Sequence, residues 1–221
     1  MFLQVKKNSS FIILILGVVS SLVVMTSCNG IFSSLYDDVE TAVMPFGFKE
    51  INEEDNSGTV YIDTRDYEQW TYISLKDKNV DTVNMLSGGA EPQNWDFAVH
   101  RYDVKTNGGS ALETEFRSFY ELISASDYED GDFVADTMSK VIVDMSGMMD
   151  GILLYHDSNV NKELSRWLNV DLSTMPPIYT MSKKVYVLRL DDGSRAALLF
   201  TNFMNESCVK GYITIRYIYP L

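Results

Sequence analysis

The chain has 221 residues, 46 % hydrophobic and 22 % charged, the composition of an ordinary globular protein. Lysine and arginine total 18 against 31 acidic residues, a formal net charge of −13. Such a surface repels phosphate backbones and anionic lipid heads, which argues against nucleic-acid binding and against adhesion through a basic patch.

The first 27 residues read as an export signal. Lys6 and Lys7 form a positive start, and Phe11 to Met25 is a largely apolar stretch of 15 residues, shorter than the roughly 20 needed to span a bilayer as a helix. Thr26 and Ser27 then precede Cys28, so cleavage is expected just before that cysteine. The run MTSC resembles a bacterial lipobox, which implies a thioether-linked lipid on Cys28 and firm membrane anchoring by two or three acyl chains. Lys6 and Lys7 leave with the signal, so 18 basic residues become 16 and the mature charge becomes −15. Cys208 then has no partner within the chain, and the bland expectation is a buried small hydrophobe.

Residues 28–57 read as the lipidated cysteine, a tether and the first elements. Asp37, Asp38 and Glu40 loosely resemble the acidic tracts that route some lipoproteins to the outer surface. Residues 58–221 read as a single mostly antiparallel, all-β domain with one or two short helices. TVYID (59–63) and WTYISL (70–75) are predicted strands, with Trp70, Tyr72 and Ser74 on one face and Thr71, Ile73 and Leu75 on the other. Residues 80–86 continue the sheet. NWDFAVHRYDVKT (94–106) is predicted as one long strand, followed by an Asn107-Gly108-Gly109 turn.

Phe116, Phe119, Tyr120 and Ile123 fall at helical spacing, which favours a helix within 111–125. KVIVDM (140–145) suits a strand, and NKELSRWLNV (161–170) a short helix capped by Asn159 or Asn161. The interval 126–182 is rich in methionine. KVYVLRL (184–190), Asp191-Asp192-Gly193 and RAALLFTNF (195–203) make a hairpin, and KGYITIRYIYPL (210–221) is a closing strand.

Catalytic signatures are missing. There is no Gly-rich phosphate loop, no paired CxxC and no H-E-x-x-H. His100 and His156 are too few for a three-ligand zinc site unless carboxylates join them. The sequence therefore points to a binding protein rather than an enzyme.

The blocks WTYISL, NWDFAVHRYDVKTNGG, RWL followed by MPPIY, KVYVLRLDDG and the terminal KGYITIRYIYP, with the lipobox-like start, resemble the HmuY-like lipoproteins of Bacteroidetes. The resemblance covers nearly all of the mature chain. It implies an all-β haemophore, lipid-anchored to the outer membrane and facing outward, that takes haem from host haemoproteins and passes it to a TonB-dependent receptor. The founding type holds iron with two histidines, which this chain cannot supply in the right places; other members use two methionines.

Matched onto this chain, the ligand segments fall near VDMSGMMDG and LSTMPPIY. The first ligand is then one of Met145, Met148 and Met149 and the second is Met175, with Met148 and Met175 the preferred pair and Met181 a weaker alternative. Thioethers are soft ligands without a proton to lose and would favour ferrous over ferric haem. Tyr155, Trp167 and Tyr179 are candidates to flank the ring, and Lys140, Lys162, Arg166 and Lys183 to meet the propionates. Trp70, Trp95 and His100 read as structural, as does an Arg101–Asp103 pair. Two other readings stand beside this one: a module of the same fold that binds a peptide, a glycan or a small apolar ligand, and a structural or adhesive surface protein.

Overall fold

A computed structural model describes residues 46–125, 128, 131–174 and 176–221. Cys28 and Met175 lie outside the described residues. The first half holds β1 (Gly47–Asn52), β2 (Ser57–Asp63), β3 (Gln69–Ser74), β4 (Asn79–Asn84), β5 (Phe97–His100), β6 (Asp103–Thr106), β7 (Ser110–Glu113) and helix α1 (Phe119–Ala125). The second holds β8 (Val134–Ala135), β9 (Thr137–Asp144), β10 (Leu154–Val160), β11 (Leu168–Asp171), β12 (Ile178–Met181), β13 (Tyr186–Arg189), β14 (Arg195–Met204) and β15 (Lys210–Ile218).

A seven-stranded sheet runs β1-β2-β15-β14-β13-β7-β8 and a four-stranded one β4-β3-β5-β6; β9–β10 and β11–β12 are separate hairpins. Every pairing is antiparallel. The all-β expectation is met.

Three apolar layers hold these parts together. Val60, Ile62, Leu188, Leu198, Ile213 and Ile215 of the large sheet meet Ile73, Phe97 and Val99 of the small one in the main core. On the far side of the small sheet, Trp70, Tyr72, Trp95 and Ala98 pack on Val141, Val143 and Val160 of the β9–β10 hairpin. On the far side of the large sheet, Phe119 and Leu122 of α1 cover Val185, Val187, Ala197 and Leu199. The alternation in β3 therefore has two buried faces, and that is why WTYISL lacks a polar side. Each such large side chain contributes about 1.5–3 kcal/mol on burial.

Some sequence expectations need correction. NWDFAVHRYDVKT is not one strand but a tight hairpin, with Val99 opposite Val104 and His100 opposite Asp103. Arg101 turns it in the left-handed region at φ +52°, and Asn107-Gly108-Gly109 carries the chain from the small sheet to the large one.

The helix expected within 111–125 is present as α1, and the start of that interval belongs to β7. Ser118 caps α1, its Oγ accepting from the Glu121 N–H, while the Glu121 carboxylate accepts from Arg117 N–H, a near capping box. Phe119 and Leu122 are the buried pair, and Tyr120 and Ile123 are exposed. The helix expected over 161–170 is a single 3-10 turn, Leu164–Trp167, leading into β11. The N-cap position of that turn is Glu163, and Asn161, two residues ahead of it, accepts through Oδ1 from Leu164 N–H at 2.8 Å. Cys208 is exposed rather than buried.

Candidate functional site

A cleft of about 300 Å³ opens at one end of the sandwich. Ile142 and Met145 form one wall at the end of β9. Leu168, Val170, Leu172 and Tyr179 of the β11–β12 hairpin form the other, and Tyr67 with the Arg101-Tyr102 turn makes the floor.

The floor is fixed by backbone acceptors. The Arg101 guanidinium donates to the Arg65 carbonyl at 3.0 Å and lies over the Tyr67 ring, 4.3 Å from its centroid. The Arg101 carbonyl sits 3.0 Å from the Thr64 hydroxyl, which is also 2.9 Å from the Gly211 carbonyl. Gly211 takes φ +99°, and a Cβ there would come within 2.9 Å of the Arg101 guanidinium. Only glycine lets β15 approach the turn so closely. No Arg101–Asp103 ion pair forms among the described residues. Asp103 instead lies 3.8 Å from His100 Nδ1.

The β11–β12 wall is fastened to the same floor. Trp167 Nε1 donates to the Tyr102 carbonyl at 2.9 Å, and Asn161 N–H to the Val104 carbonyl at 2.7 Å. Buried Asn161 also donates through Nδ2 to Val134 O and Asp136 Oδ1. Trp167 stacks on Phe200 at 4.4 Å inside the main core, so it supports the cleft from beneath and does not flank a ligand ring.

The cleft's aromatic surface is tyrosine. Tyr102 meets Tyr179 edge-on at 5.9 Å, and Tyr179 stacks on Phe203 and under the Lys210 ammonium. The Tyr102 hydroxyl is buried with no partner among the described residues, and burial pushes its pKa up to about 12. His100 is a buried part of the cleft lining, its Nε2 2.8 Å from the Tyr67 carbonyl, a contact that requires a proton on Nε2. His100, Trp70 and Trp95 are all buried.

Among the sequence candidates, Met145 lines the cleft. Met148 and Met149 belong to a 3-10 turn at the β9–β10 tip, 46 % and 91 % exposed. The tip closes on itself through Ser146 N–H to Asp144 Oδ1 and Gly151 N–H to Met148 O, with Gly151 at φ +74°. Leu172 and Ile178 are exposed near the other tip, and Leu172, like Met145, lines the cleft.

Met181 packs half-buried against the main core. Tyr155 is half exposed on β10, paired with Ile142. Of the four cations considered, Arg166 is engaged by Glu163 and Glu113, Lys140 stands opposite Asp157 on the hairpin, and Lys162 and Lys183 are exposed. Arg101 is the cation that lines the cleft. Arg101, Tyr67 and Tyr102 were missed as site residues because they neighbour the site only after β5 and β6 fold back on each other. Among the described residues, no three His, Cys, Asp or Glu side chains converge as a metal site.

The HmuY protein family matches residues 66–217. The chain belongs to the HmuY family. A crystal structure from Bacteroides vulgatus, described as an HmuY-like haem-binding protein, is 51 % identical, superposes with a TM-score of 0.76, and aligns over 80 % of this chain and 99 % of its own. A Bacteroides fragilis lipoprotein is 47 % identical with a TM-score of 0.76, over 80 % and 96 %. The apo HmuY analog of Tannerella forsythia is 26 % identical with a TM-score of 0.64, over 73 % and 94 %. Comparison with curated proteins gave no match. The HmuY family is one of binding proteins, in keeping with a cleft lined by tyrosine and aliphatic side chains.

Proposed function

We propose that this HmuY-family chain is a lipoprotein, anchored through Cys28 to the outer membrane and facing outward, that binds haem without turning it over and hands it to an uptake receptor. The observation that carries this reading is the cleft between two hairpins. The β9–β10 tip bears Met145, Met148 and Met149, and Met175 falls in the sequence joining β11 to β12.

The lining fits the group. A porphyrin needs apolar and aromatic faces, met here by Ile142, Leu168, Leu172 and Tyr179. At about 300 Å³ the cleft is at the small end for ligand sites, so part of the ring would rest between the exposed tips. Met148 and Met175 are the proposed axial ligands. Met148 is 46 % exposed on the β9–β10 tip, whereas Met145 is part of the wall. Bound haem would supply an iron centre whose oxidation state the thioethers bias toward ferrous. Arg101 is the nearest cation for a propionate, in place of the four considered from sequence. The relative described as haem-binding is half identical to this chain, which supports the ligand class.

Titration of residues 29–221 with haem, oxidised and under dithionite, tests the reading. A saturable Soret band is expected, stronger when reduced. Met148→Ala and Met175→Ala should each weaken it by about tenfold or more, while Met149→Ala should not. Absence of any band would end the haem reading; unchanged binding in both variants would end the ligand assignment alone.

A further inference from the structure

A second pocket, of about 410 Å³, lies on the other side of the molecule's small sheet, between the β4–β5 connection and the β9–β10 hairpin. Its floor is an aromatic box that contains a lysine. Lys105 is 5 % exposed although it sits mid-strand in β6, opposite Ala98. Its ammonium lies 4.7 Å from the Trp70 ring centroid, 4.8 Å from Tyr72 and 5.2 Å from Trp95.

Cation–π attraction offsets part of the cost of removing an ammonium from water, but a buried charge still requires a counter-ion. Glu91 provides it. Its Oε1 accepts from Lys105 Nζ and from the Tyr72 hydroxyl. Glu91 is not part of the sheet, however. Its side chain is half exposed, on an irregular connection that includes Gly88 and Gly89.

The same pocket has unused nitrogen atoms. Trp70 Nε1 and His156 Nδ1 both belong to residues that line it, and both are buried with no partner among the described residues. A buried donor without an acceptor is rare in folded proteins. Val83, Met85 and Met138 add apolar wall. An enclosed ammonium, an orphan indole N–H and a wall of rings and thioethers suit a carboxylate on an apolar or aromatic body, in a chain otherwise strongly negative.

We propose that this pocket binds a small organic carboxylate of that class, with Lys105 as charge partner, and that Glu91 is an internal stand-in which the ligand displaces. The proposal does not depend on the haem reading, because the two pockets share no lining residue. If Lys105 and Glu91 are only a structural pair, no external carboxylate will compete.

Calorimetric titration of the full lipidated chain in detergent with phenylacetate, and with phenylacetamide as its uncharged counterpart, tests the proposal. Phenylacetate should bind saturably and quench tryptophan emission from Trp70 and Trp95, and the amide should bind about tenfold more weakly or worse. Glu91→Gln removes the competing charge and should tighten phenylacetate by about tenfold. The comparison of the two probes on the parent chain decides the matter even if the variant is poorly folded. Absence of saturable phenylacetate binding, equal affinity for the amide, or a folded Glu91→Gln chain that binds no more tightly would overturn the proposal.

Discussion

The indole N–H of Trp167 donates to the main-chain carbonyl of Tyr102 at 2.9 Å, and this bond joins the β11–β12 hairpin to the β5–β6 turn. The two elements meet at the bottom of the cleft, so the bond sets the distance between its floor and one wall. Because Trp167 is also stacked on Phe200 in the main core, the wall is referenced to the rigid part of the sandwich.

Replacing Trp167 separates these roles. Trp167→Phe keeps a ring but leaves a buried carbonyl unpaired, for an expected loss of about 1–3 kcal/mol. Trp167→Ala also opens a cavity and should cost about 3–5 kcal/mol. Urea denaturation of both variants measures the difference. Equal stability of parent and Trp167→Phe would show that the hydrogen bond holds nothing in place.

Arg101 makes a similar case for the turn. Its φ of +52° is costly for a residue with a Cβ, and the guanidinium contacts with Arg65 O, Tyr67 and Tyr102 offset that cost. Arg101→Ala keeps the backbone strain and loses the contacts, for an expected loss of about 1–3 kcal/mol. Arg101→Gly loses the contacts but relieves the strain, and should be about 0.5–1 kcal/mol less destabilised than the alanine variant. Thermal unfolding of the pair gives the order, and a glycine variant less stable than alanine would refute it.

Arg101 also shows where the sequence was legible and where it was not. The alternation in 70–75, the hairpin over 184–203 and the closing strand were readable because local pattern and tertiary burial agree there. Trp95, Phe97 and Val99 of NWDFAVHRYDVKT follow period two, neither face of the run is purely apolar, and Arg-Tyr is no turn signature. The bend exists because Thr64, Arg65, Tyr67 and Gly211 surround it, and those residues are distant in sequence. The cleft followed the same rule. The methionine cluster stood out as composition, but Tyr67, Arg101 and Tyr102 carry no mark of a site until two strands fold together. Lys105 was equally silent, being one more charged residue until Trp70, Tyr72 and Trp95 close around it.

Cys208 was expected in the core for want of a partner, yet it lies exposed in the turn between β14 and β15. It takes φ +59°, and its N–H donates to the Asn205 carbonyl at 3.0 Å. An accessible thiol reacts without unfolding of the protein. Native chain 29–221 should therefore titrate one thiol with Ellman's reagent as fast as the urea-unfolded chain does, within about a factor of ten. Protection of the native thiol by several orders of magnitude would contradict the exposure.

Stability should depend on pH through carboxylates that the fold favours in charged form. Burial alone would raise the Asp63 pKa, but the Arg65 guanidinium, at 3.0 and 2.7 Å, and the Arg65 backbone N–H outweigh it and hold the group below its ordinary 3.8. The hydroxyls and N–H groups of Ser194 and Ser173 lower Asp192 and Asp171 in the same way. An acid with a lowered native pKa binds its proton more readily when unfolded. Its stabilisation is therefore present above 3.8 and is lost as pH falls through the native value.

Asp96 has the opposite sign. Burial raises its pKa against the N–H groups of Leu75 and Lys76, so its contribution is present at low pH and disappears as pH rises through that raised value. At the alkaline end, Glu113 and Glu115 raise Lys184, and burial raises Tyr72 and Tyr186; these contributions hold below the unfolded values of 10.5 and 10.0 and fade above them. The melting temperature should thus be level between about pH 5 and 9, and fall below about pH 4 and above about pH 10. Asp63→Asn should lower the plateau and flatten the acid limb, as read by calorimetry across that range. An acid limb identical to the parent's would show that the Asp63–Arg65 pair contributes nothing to the linkage.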